Sequence, residues 1–336
     1  MSFLSRGKSS SDAMQEQGPS SLLGLDRYTA MSPVAGAPKG LDSEVRLDPS
    51  WVSNESARGT CGNAECVSSW TMPWRNRRRP LFEGEWGCSG RCILAMVRAA
   101  IRRERGERSL SPVNTVHRHR VPLGLVMLAQ GWITHPQLQM ALEAQRSSGS
   151  GRIGDWLVSE CGLESEQVTR GLSVQWSCPV LSLDGFTPER MALVAPRLFL
   201  EEFGIVPLRI AGSRLIYLAF ESRLDASAAL AVEQMTGLKV QSGLLEASQL
   251  QIARARLLEC DAVPARLEKS GDEDSLAARI TAVLEQRQPI GSRLVRLHGY
   301  YWLRIWLESG TKGMAGTMPR SAEDMEDYLY PIQGRA

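Results

Sequence analysis

The amino-acid sequence predicts an α+β protein, and three observations support that class. Residues 121–180 carry the same helix-period pattern twice in tandem. Residues 181–260 change to short apolar runs separated by turn residues, which is typical of strands and helices around a small sheet. Residues 59–108 place four cysteines around an aromatic and basic segment. We therefore expect tandem helical hairpins and then a small-sheet α/β subdomain, with a hairpin-plus-helix module before them and helices after them.

Length and composition are those of a soluble chain with several parts. The 336 residues have room for two or three domains, and 43% hydrophobic with 23% charged residues is ordinary for a globular protein. The formal net charge of +2 gives no general attraction to nucleic acid. The sequence has no apolar run of about 18 residues, so we expect no transmembrane segment. The first residues lack the apolar core of a signal peptide, and we expect a cytoplasmic location.

The predicted divisions of the chain follow its changes in composition. They are a disordered tail (1–58), a cysteine-containing module (59–108), a linker (109–120), the tandem helical repeat (121–180), an α+β subdomain of the same domain (181–260), a charged linker (261–274), C-terminal helices (275–308) and a loose tail (309–336). The first tail lacks enough apolar residues to offset the entropy of ordering it. His117 and His119 alternate with arginines, which favours a solvated linker over metal ligands.

The module at 59–108 has the cysteine pattern of a metal site. Its cysteines are spaced C-x4-C and C-x3-C, at positions Cys61, Cys66, Cys88 and Cys92. In a cytoplasmic protein, clustered cysteines favour a metal over disulfides. Four thiolates suit zinc in tetrahedral geometry and leave no position for water, so the predicted zinc is structural. An apolar helical period follows Cys92, as in treble-clef fingers, where the second ligand pair opens a helix. The alternative is four unrelated reduced cysteines.

The segment between the two cysteine pairs predicts a hairpin. Its aromatic residues suit a small core, and its basic run RNRRRP suits a solvated turn. The arginines of that run are Arg75, Arg77, Arg78 and Arg79. Together with Arg102, Arg103 and Arg105 they form a candidate patch for the phosphates of a nucleic acid. We favour a solvated turn and helix face over that patch, and expect no nucleic-acid partner.

The tandem repeat consists of two stretches of equal length, Pro122–Gln145 and Arg152–Gln175. Shared glycines, glutamines and apolar residues recur in step thirty residues apart. In the first copy, Thr134 and Gln137 have the spacing of a capping box, and Pro136 suits the first turn of a helix. Each copy therefore predicts a helical hairpin.

The remainder of the chain predicts a small sheet followed by helices. GIVPLRI, RLIYLAF and LKVQSGLL read as strands, and 188–202, 225–235 and 247–259 as helices. In the C-terminal region, SRLVRLHGYYWLRIWLE has apolar residues at helical spacing against arginines. That amphipathic segment suits packing on the preceding domain; the alternatives are a membrane surface or a partner.

The region from Val121 to Glu259 resembles the N-terminal domain of type II secretion and type IV pilus assembly ATPases, the GspE-N or MshEN family. Each family copy reads roughly RLGxxLLxxGLIxxxxLxxxLxxQ, and both copies here are similar to it. The resemblance implies a module that connects to a membrane-platform protein, which would place the chain at the inner face of the membrane through that partner.

Some members of that family bind cyclic di-GMP across the paired motifs. The resemblance then implies contacts from Arg152, Ile153, Gly154, Leu157 and Gln175 in copy two, and from Leu123, Gly124, Met127 and Gln145 in copy one. Pro122 stands where copy one should have its arginine, and proline offers neither a planar fork nor an N–H. The alternative is that the repeat keeps the fold and presents a protein-binding surface.

The sequence contains no G-x-x-x-x-G-K-[ST] phosphate loop, which the motor of the ATPases requires. It also lacks the G-x-S-x-G and H-E-x-x-H motifs. We therefore predict a non-enzymatic adaptor or regulator that binds a protein partner in secretion or pilus assembly. The alternatives are a cyclic di-GMP receptor and a nucleic-acid-binding regulator.

Overall fold

The computed structural model describes residues 61–67, 81–109, 120–212, 214–307 and 321–332. Side chains are described up to Gly106 in the first helix. The predicted disordered tail, His117, His119 and the arginine run RNRRRP lie outside these residues. Within the described residues the chain combines ten helices with three small sheets, so the α+β class holds.

The N-terminal module is a short hairpin followed by a long helix. Its elements are β1 (Leu81–Phe82), β2 (Glu85–Trp86) and α1 (Gly90–Ser109). The hairpin turns at Glu83 and Gly84, which both have positive φ, at 51° and 84°. Two left-handed residues match the twist of the flanking strands, and glycine adopts that conformation without strain. The arginine run, predicted to form a turn, precedes β1 and lies outside the described residues.

The tandem repeat has a helix in each of the four predicted places. These are α2 (Leu123–Ala129), α3 (His135–Ser148), α4 (Ile153–Cys161) and α5 (Ser165–Trp176). The predicted capping box is present, since the Thr134 N–H donates to Oε1 of Gln137 at 2.9 Å. Gly149 and Gly162 end α3 and α4 in the left-handed conformation, with φ of 67° and 68°. Each copy is a pair of helices joined by a short turn.

The following subdomain wraps helices around a three-stranded sheet. Its elements are α6 (Pro188–Met191), α7 (Arg197–Glu202), β3 (Val206–Ala211), β4 (Leu215–Phe220), α8 (Ala226–Thr236), β5 (Lys239–Leu244) and α9 (Ala247–Glu259). The strand order is β3-β4-β5, antiparallel and then parallel, with α8 as the crossover. The predicted single helix over 188–202 is two short helices, because Pro196 cannot continue the first one.

The C-terminal region corrects the sequence prediction most. Its elements are β6 (Ala265–Leu267), α10 (Glu273–Arg287), β7 (Gly291–Leu297), β8 (Tyr300–Trp306) and β9 (Met325–Pro331). The second predicted helix within 275–308 is instead a β-hairpin around His298–Gly299, and part of the predicted loose tail is β9. His298 takes a left-handed φ of 47° at this turn. The predicted linker 261–274 also contains a strand, β6.

Burial on both sides of the C-terminal sheet explains that error. The sheet has the order β6-β9-β8-β7. One face, with Val295 and Trp302, joins the core of the β3–β5 subdomain. The other face, with Leu294 and Tyr301, joins a core made by α1 and α10. A strand buried on both faces loses the polar alternation by which strands are recognised in sequence. No helix among the described residues has the length and apolar character needed to span a membrane.

Candidate metal centre and the paired repeat motif

The fold brings the four predicted cysteines close together. Their sulfur atoms all lie within 4.8 Å of one another. Cys88 Sγ is 3.5 Å from Cys66 Sγ and 3.4 Å from Cys92 Sγ. In a tetrahedral zinc site with Zn–S bonds of about 2.3 Å, the sulfurs are about 3.8 Å apart. The sulfur cluster therefore has the dimensions of a four-thiolate metal site.

Local backbone bonds hold the first two cysteines against the hairpin. The Gly62 N–H donates to the Trp86 carbonyl oxygen at 2.9 Å, and the Cys66 N–H donates to the Asn63 carbonyl oxygen at 2.9 Å. A Cβ at Gly62 would lie 2.6 Å from Cβ of Glu85, which cannot rotate away, so a larger residue there would displace the cysteine loop. Glycine is needed at this position for close approach rather than for its φ angle.

The other two cysteines flank the start of α1. Cys88 precedes the helix, and Cys92 lies in its first turn, with its N–H donating to the Ser89 carbonyl oxygen at 3.0 Å. The free N–H groups and dipole at a helix N-terminus stabilise negative charge on nearby sulfur. The helix start therefore favours the thiolate forms that a metal requires.

The pKa values of Cys88 and Cys92 are shifted in opposite directions. Burial, and then hydrogen bonds with Cys92, Cys66 and Cys61, raises the pKa of Cys88 to about 12. A hydrogen bond from the Asn63 side-chain amide, at 3.5 Å, is the main cause that lowers the pKa of Cys92 to about 6. Adjacent sulfurs cannot all carry a charge without a cation, because like charges at this distance repel. A divalent metal ion would allow all four to ionise.

The arginines of α1 lie in ion pairs with acidic groups. Arg103 Nη1 is 2.7 Å from Oε2 of Glu83, and Arg105 Nη1 is 3.0 Å from Oε2 of Glu273. Arg102 Nε is 3.9 Å from Oε1 of Glu273. Arg102 and Arg105 are 75% and 69% exposed, as expected of a solvated helix face, whereas Arg103 lies between the carboxylates of Glu83 and Glu104. The rest of the candidate nucleic-acid patch, Arg75, Arg77, Arg78 and Arg79, lies outside the described residues.

Most residues of the predicted nucleotide motif lie in the core of the repeat. The buried members are Leu123, Gly124, Met127, Gly154 and Leu157. A Cβ at Gly124 would lie 2.5 Å from Cδ1 of Leu138, and one at Gly154 would lie 2.8 Å from Cγ1 of Val168. The shared glycines thus let the two helices of each copy pack closely.

The shared glutamines tie each copy to the beginning of the other. Gln145, which ends the motif of copy one, donates from Nε2 to the carbonyl oxygen of Gly151, one residue before copy two, at 2.8 Å. Gln175, which ends copy two, donates from Nε2 to the carbonyl oxygen of Val121, one residue before copy one, also at 2.8 Å. These bonds give both glutamines a structural role, and they express the pseudo-symmetry that the sequence repeat predicts.

Arg152 is the exposed, charged member of the motif. Its side chain is 62% exposed, and Nη1 is 3.0 Å from Oε1 of Glu221 in the adjacent subdomain. Ile153 beside it is partly buried. Pro122, at the equivalent place, begins α2 without an N–H to donate. Sequence reasoning missed Glu221, and no local pattern marks it, because it approaches Arg152 only through the tertiary fold.

The chain is similar in sequence to a pilus assembly ATPase, and in structure to solved proteins that include MshE and XpsE. The chain is 31% identical over 138 residues to the type IV pilus assembly ATPase PilB of Myxococcus xanthus (strain DK1622), which covers 40% of this chain and 23% of that protein. A structure of MshE with cyclic di-GMP matches at 24% identity and a TM-score of 0.35, covering 41% of this chain and 99% of that one.

The N-terminal domain of XpsE matches at 18% identity and a TM-score of 0.30, covering 40% of this chain and 92% of that domain. No protein-family model matches the chain. The chain thus spans less than a quarter of the length of its PilB relative. Over about two fifths of its own length it is similar to a pilus assembly ATPase, as the repeat motif predicted.

Proposed function

We propose that this chain is a non-enzymatic adaptor or regulator of a type II secretion or type IV pilus machine, and that its repeat binds a protein partner of that machine. The observation that carries the proposal is the 31% identity to PilB over 138 residues. The sequence has no phosphate-loop motif, so the proposal assigns no ATP hydrolysis to it. The partner class follows the family resemblance, namely a membrane-platform protein contacted from the cytoplasmic side.

The outer surface of the repeat supports a role in protein binding. Leu125 on α2 is 49% exposed and Met140 on α3 is 44% exposed, whereas their neighbours on the inner faces are buried. Exposed apolar side chains of this kind commonly contribute the buried centre of a protein interface. A partner could therefore bind Leu125 and Met140 without disturbing the buried residues that hold the two copies together.

Binding to the cytoplasmic part of the platform protein tests the adaptor role. We expect biolayer interferometry to detect a complex that Leu125→Asp or Met140→Asp weakens about tenfold or more, because each places a charge in an apolar contact. Ile252→Asp on α9, where the side chain is 49% exposed but lies outside the repeat, is the matched control and should bind normally. No complex with the wild-type chain, or equal losses in all three variants, would contradict the proposal.

A structural zinc ion at Cys61, Cys66, Cys88 and Cys92 is the second part of the proposal. Its support is the approach of all four sulfurs to within 4.8 Å, together with the helix start beside them. We expect mass spectrometry of the native full chain to find one zinc ion, which Cys88→Ser releases and Cys260→Ser retains. Cys260 is a matched control because it is a partly buried free cysteine outside the cluster. A natively folded chain without metal would rule the centre out.

Cyclic di-GMP binding is the alternative function, and the exposure of Arg152 favours it. An exposed guanidinium can pair with a phosphate or a guanine edge, although Glu221 now holds it. Calorimetry should show binding that Arg152→Ala abolishes and Pro122→Arg strengthens. The Glu221→Gln variant should also bind more tightly, because it removes the competing carboxylate. At about 100 μM ligand, a site with a binding free energy of about 8 kcal/mol, or a Kd of about 1 μM, would be saturated. The absence of a heat of binding at that concentration would exclude this alternative.

A further inference from the structure

A cavity of about 240 Å³ lies between α1, the start of α10 and the C-terminal sheet. Its apolar wall includes Ile101 of α1, Leu276 of α10 and Ile332, which follows β9. Ligand sites in proteins are typically clefts with mostly apolar walls and a few polar groups that fix the orientation of the ligand. The volume is below the about 300–1,000 Å³ of sites for drug-sized ligands, so this cavity suits a small molecule.

A buried hydroxyl in this cavity lacks a hydrogen-bond partner. Tyr301 of β8 lines the cavity and is 8% exposed, and its hydroxyl makes no hydrogen bond to any residue in the described part of the chain. Burial raises the pKa of Tyr301, so the hydroxyl stays protonated and can donate. Buried polar groups in native proteins are nearly always hydrogen-bonded, because an unmet donor costs free energy. The Tyr301 hydroxyl therefore indicates that the cavity receives an acceptor.

The charged groups around this hydroxyl favour an acceptor that is an anion. Arg105 of α1 and Arg296 of β7 line the same cavity, and a guanidinium has five N–H groups, which one ion pair does not exhaust. The first N–H groups of α10 have no acceptor within the helix, and the helix dipole makes this end positive.

The carboxylates on the cavity wall are already engaged. Glu273 accepts from Nη1 of Arg105 at 3.0 Å. Asp272 accepts from the Ser275 N–H at 2.7 Å, as the N-cap of α10. The polar groups that remain for a ligand are therefore mainly donors, and a carboxylate is a group that such donors bind strongly.

From these features we propose that the cavity binds a small carboxylate with an apolar body. In this complex the Tyr301 hydroxyl donates to one carboxylate oxygen, and Arg296 and the start of α10 supply positive charge. The apolar part of the ligand lies against Ile101 and Leu276. The cavity contains no residue of the tandem repeat or of the cysteine cluster, so the proposal rests on neither the adaptor role nor the zinc.

Ligand-observed NMR of the full chain tests the site, with benzoate as the probe. We expect saturation transfer from the protein to benzoate and a Kd in the millimolar range, because so small a ligand makes few contacts. Benzamide has the same ring without the negative charge. It should bind at least about tenfold more weakly, because hydrogen bonds to a charged acceptor are roughly twice as strong as neutral ones.

Three variants locate the bound probe. Tyr301→Phe removes only the unpartnered hydroxyl and should weaken benzoate binding about tenfold without destabilising the chain. Tyr300→Phe is the matched control and should bind normally, because its hydroxyl is bonded to Glu202 on the other side of the sheet. Gly271→Phe should block binding, because Gly271 lines the cavity and a Cβ there meets no described atom within 4 Å, which leaves room for the ring.

Any of three results would overturn the proposal. The absence of saturation transfer to benzoate in the wild-type chain would show that the cavity is not a carboxylate site. Equal affinity for benzamide would contradict the role of the negative charge. Wild-type affinity in Tyr301→Phe, or equal losses in Tyr301→Phe and Tyr300→Phe, would place the probe elsewhere. If Tyr301→Phe does not fold, unchanged binding in Gly271→Phe would overturn the proposal in its place.

Discussion

The repeat and the cysteine-containing module are stabilised in different ways. The repeat has an apolar core of its own, which includes Met127, Leu138 and Leu157. The apolar residues of the module, among them Phe82 and Ile93, belong to a core shared with α10 and the C-terminal sheet. A module of this size seldom buries enough apolar surface to fold alone, so it depends on the shared core. Damage to the module is therefore expected to spread to the C-terminal sheet, and damage to the repeat to stay local.

The largest expected effect comes from the buried pair Arg304–Asp327 within the shared sheet. Arg304 Nη2 is 2.7 Å from Oδ2 of Asp327, and Arg304 Nη1 donates to the carbonyl oxygens of Leu193 and Val194. Arg304→Ala should lower the free energy of unfolding by about 3–5 kcal/mol, because it leaves a buried carboxylate without its partner. Urea denaturation measures that loss, and hydrogen exchange should locate it in the C-terminal sheet and in the segment between α6 and α7, but not in the repeat.

Arg266→Ala is the control for that prediction. Its guanidinium is 54% exposed and lies 3.9 Å from Glu326, and an exposed pair contributes at most about 1 kcal/mol. Faster hydrogen exchange in the repeat after Arg304→Ala would contradict the view that the repeat is stabilised separately from the C-terminal sheet.

A glycine substitution in each region sharpens the comparison. Gly154→Ala in the repeat should lower the free energy of unfolding by about 1–3 kcal/mol, because the new Cβ would lie 2.8 Å from Cγ1 of the stiff side chain of Val168. Gly106→Ala in α1 meets no described atom within 4 Å. It should stabilise the chain by up to about 1 kcal/mol, because alanine is the better helix former. Thermal unfolding measures both, and a loss in both variants would contradict the close-packing role of Gly154.

The smallest effects test the symmetry of the repeat. We expect Gln145→Ala and Gln175→Ala each to lower the free energy of unfolding by about 1 kcal/mol, which is the usual net contribution of one hydrogen bond. Because the two bonds have the same length and equivalent places, the losses should be equal within the error of chemical denaturation. A loss in only one variant would show that the two copies do not support each other reciprocally.

Sequence reasoning was most successful where the evidence is local. The capping box of Thr134 depends on residues three apart, and the cysteine spacing is typical of a metal site. The structure contains both the capping box and the close approach of the four sulfur atoms. The hydrogen bonds that Glu83 and Glu104 accept from β7 join residues about two hundred positions apart, and no local pattern indicates them.

The prediction of a helix in the C-terminal region was wrong because its apolar residues fit two interpretations. Leu294, Leu297 and Tyr301 fit a helical period, although they belong to two strands, β7 and β8, which are joined by a turn at Gly299 and buried on both faces. The motif residues of the repeat include glycines and leucines, which serve equally in a binding surface and in a core. Only the fold shows that Gly124 and Leu157 are buried.

The exchanged glutamine bonds have a consequence for synthesis on the ribosome. The Gly151 carbonyl is met by Gln145, six residues earlier, so the beginning of copy two finds its partner already made. The Val121 carbonyl must wait for Gln175, which is 54 residues later. Copy one therefore leaves the exit tunnel before Gln175, whose side chain closes it, has left. The order of translation distinguishes two copies that the finished fold makes equivalent, and copy one is the copy that emerges without its closing bond.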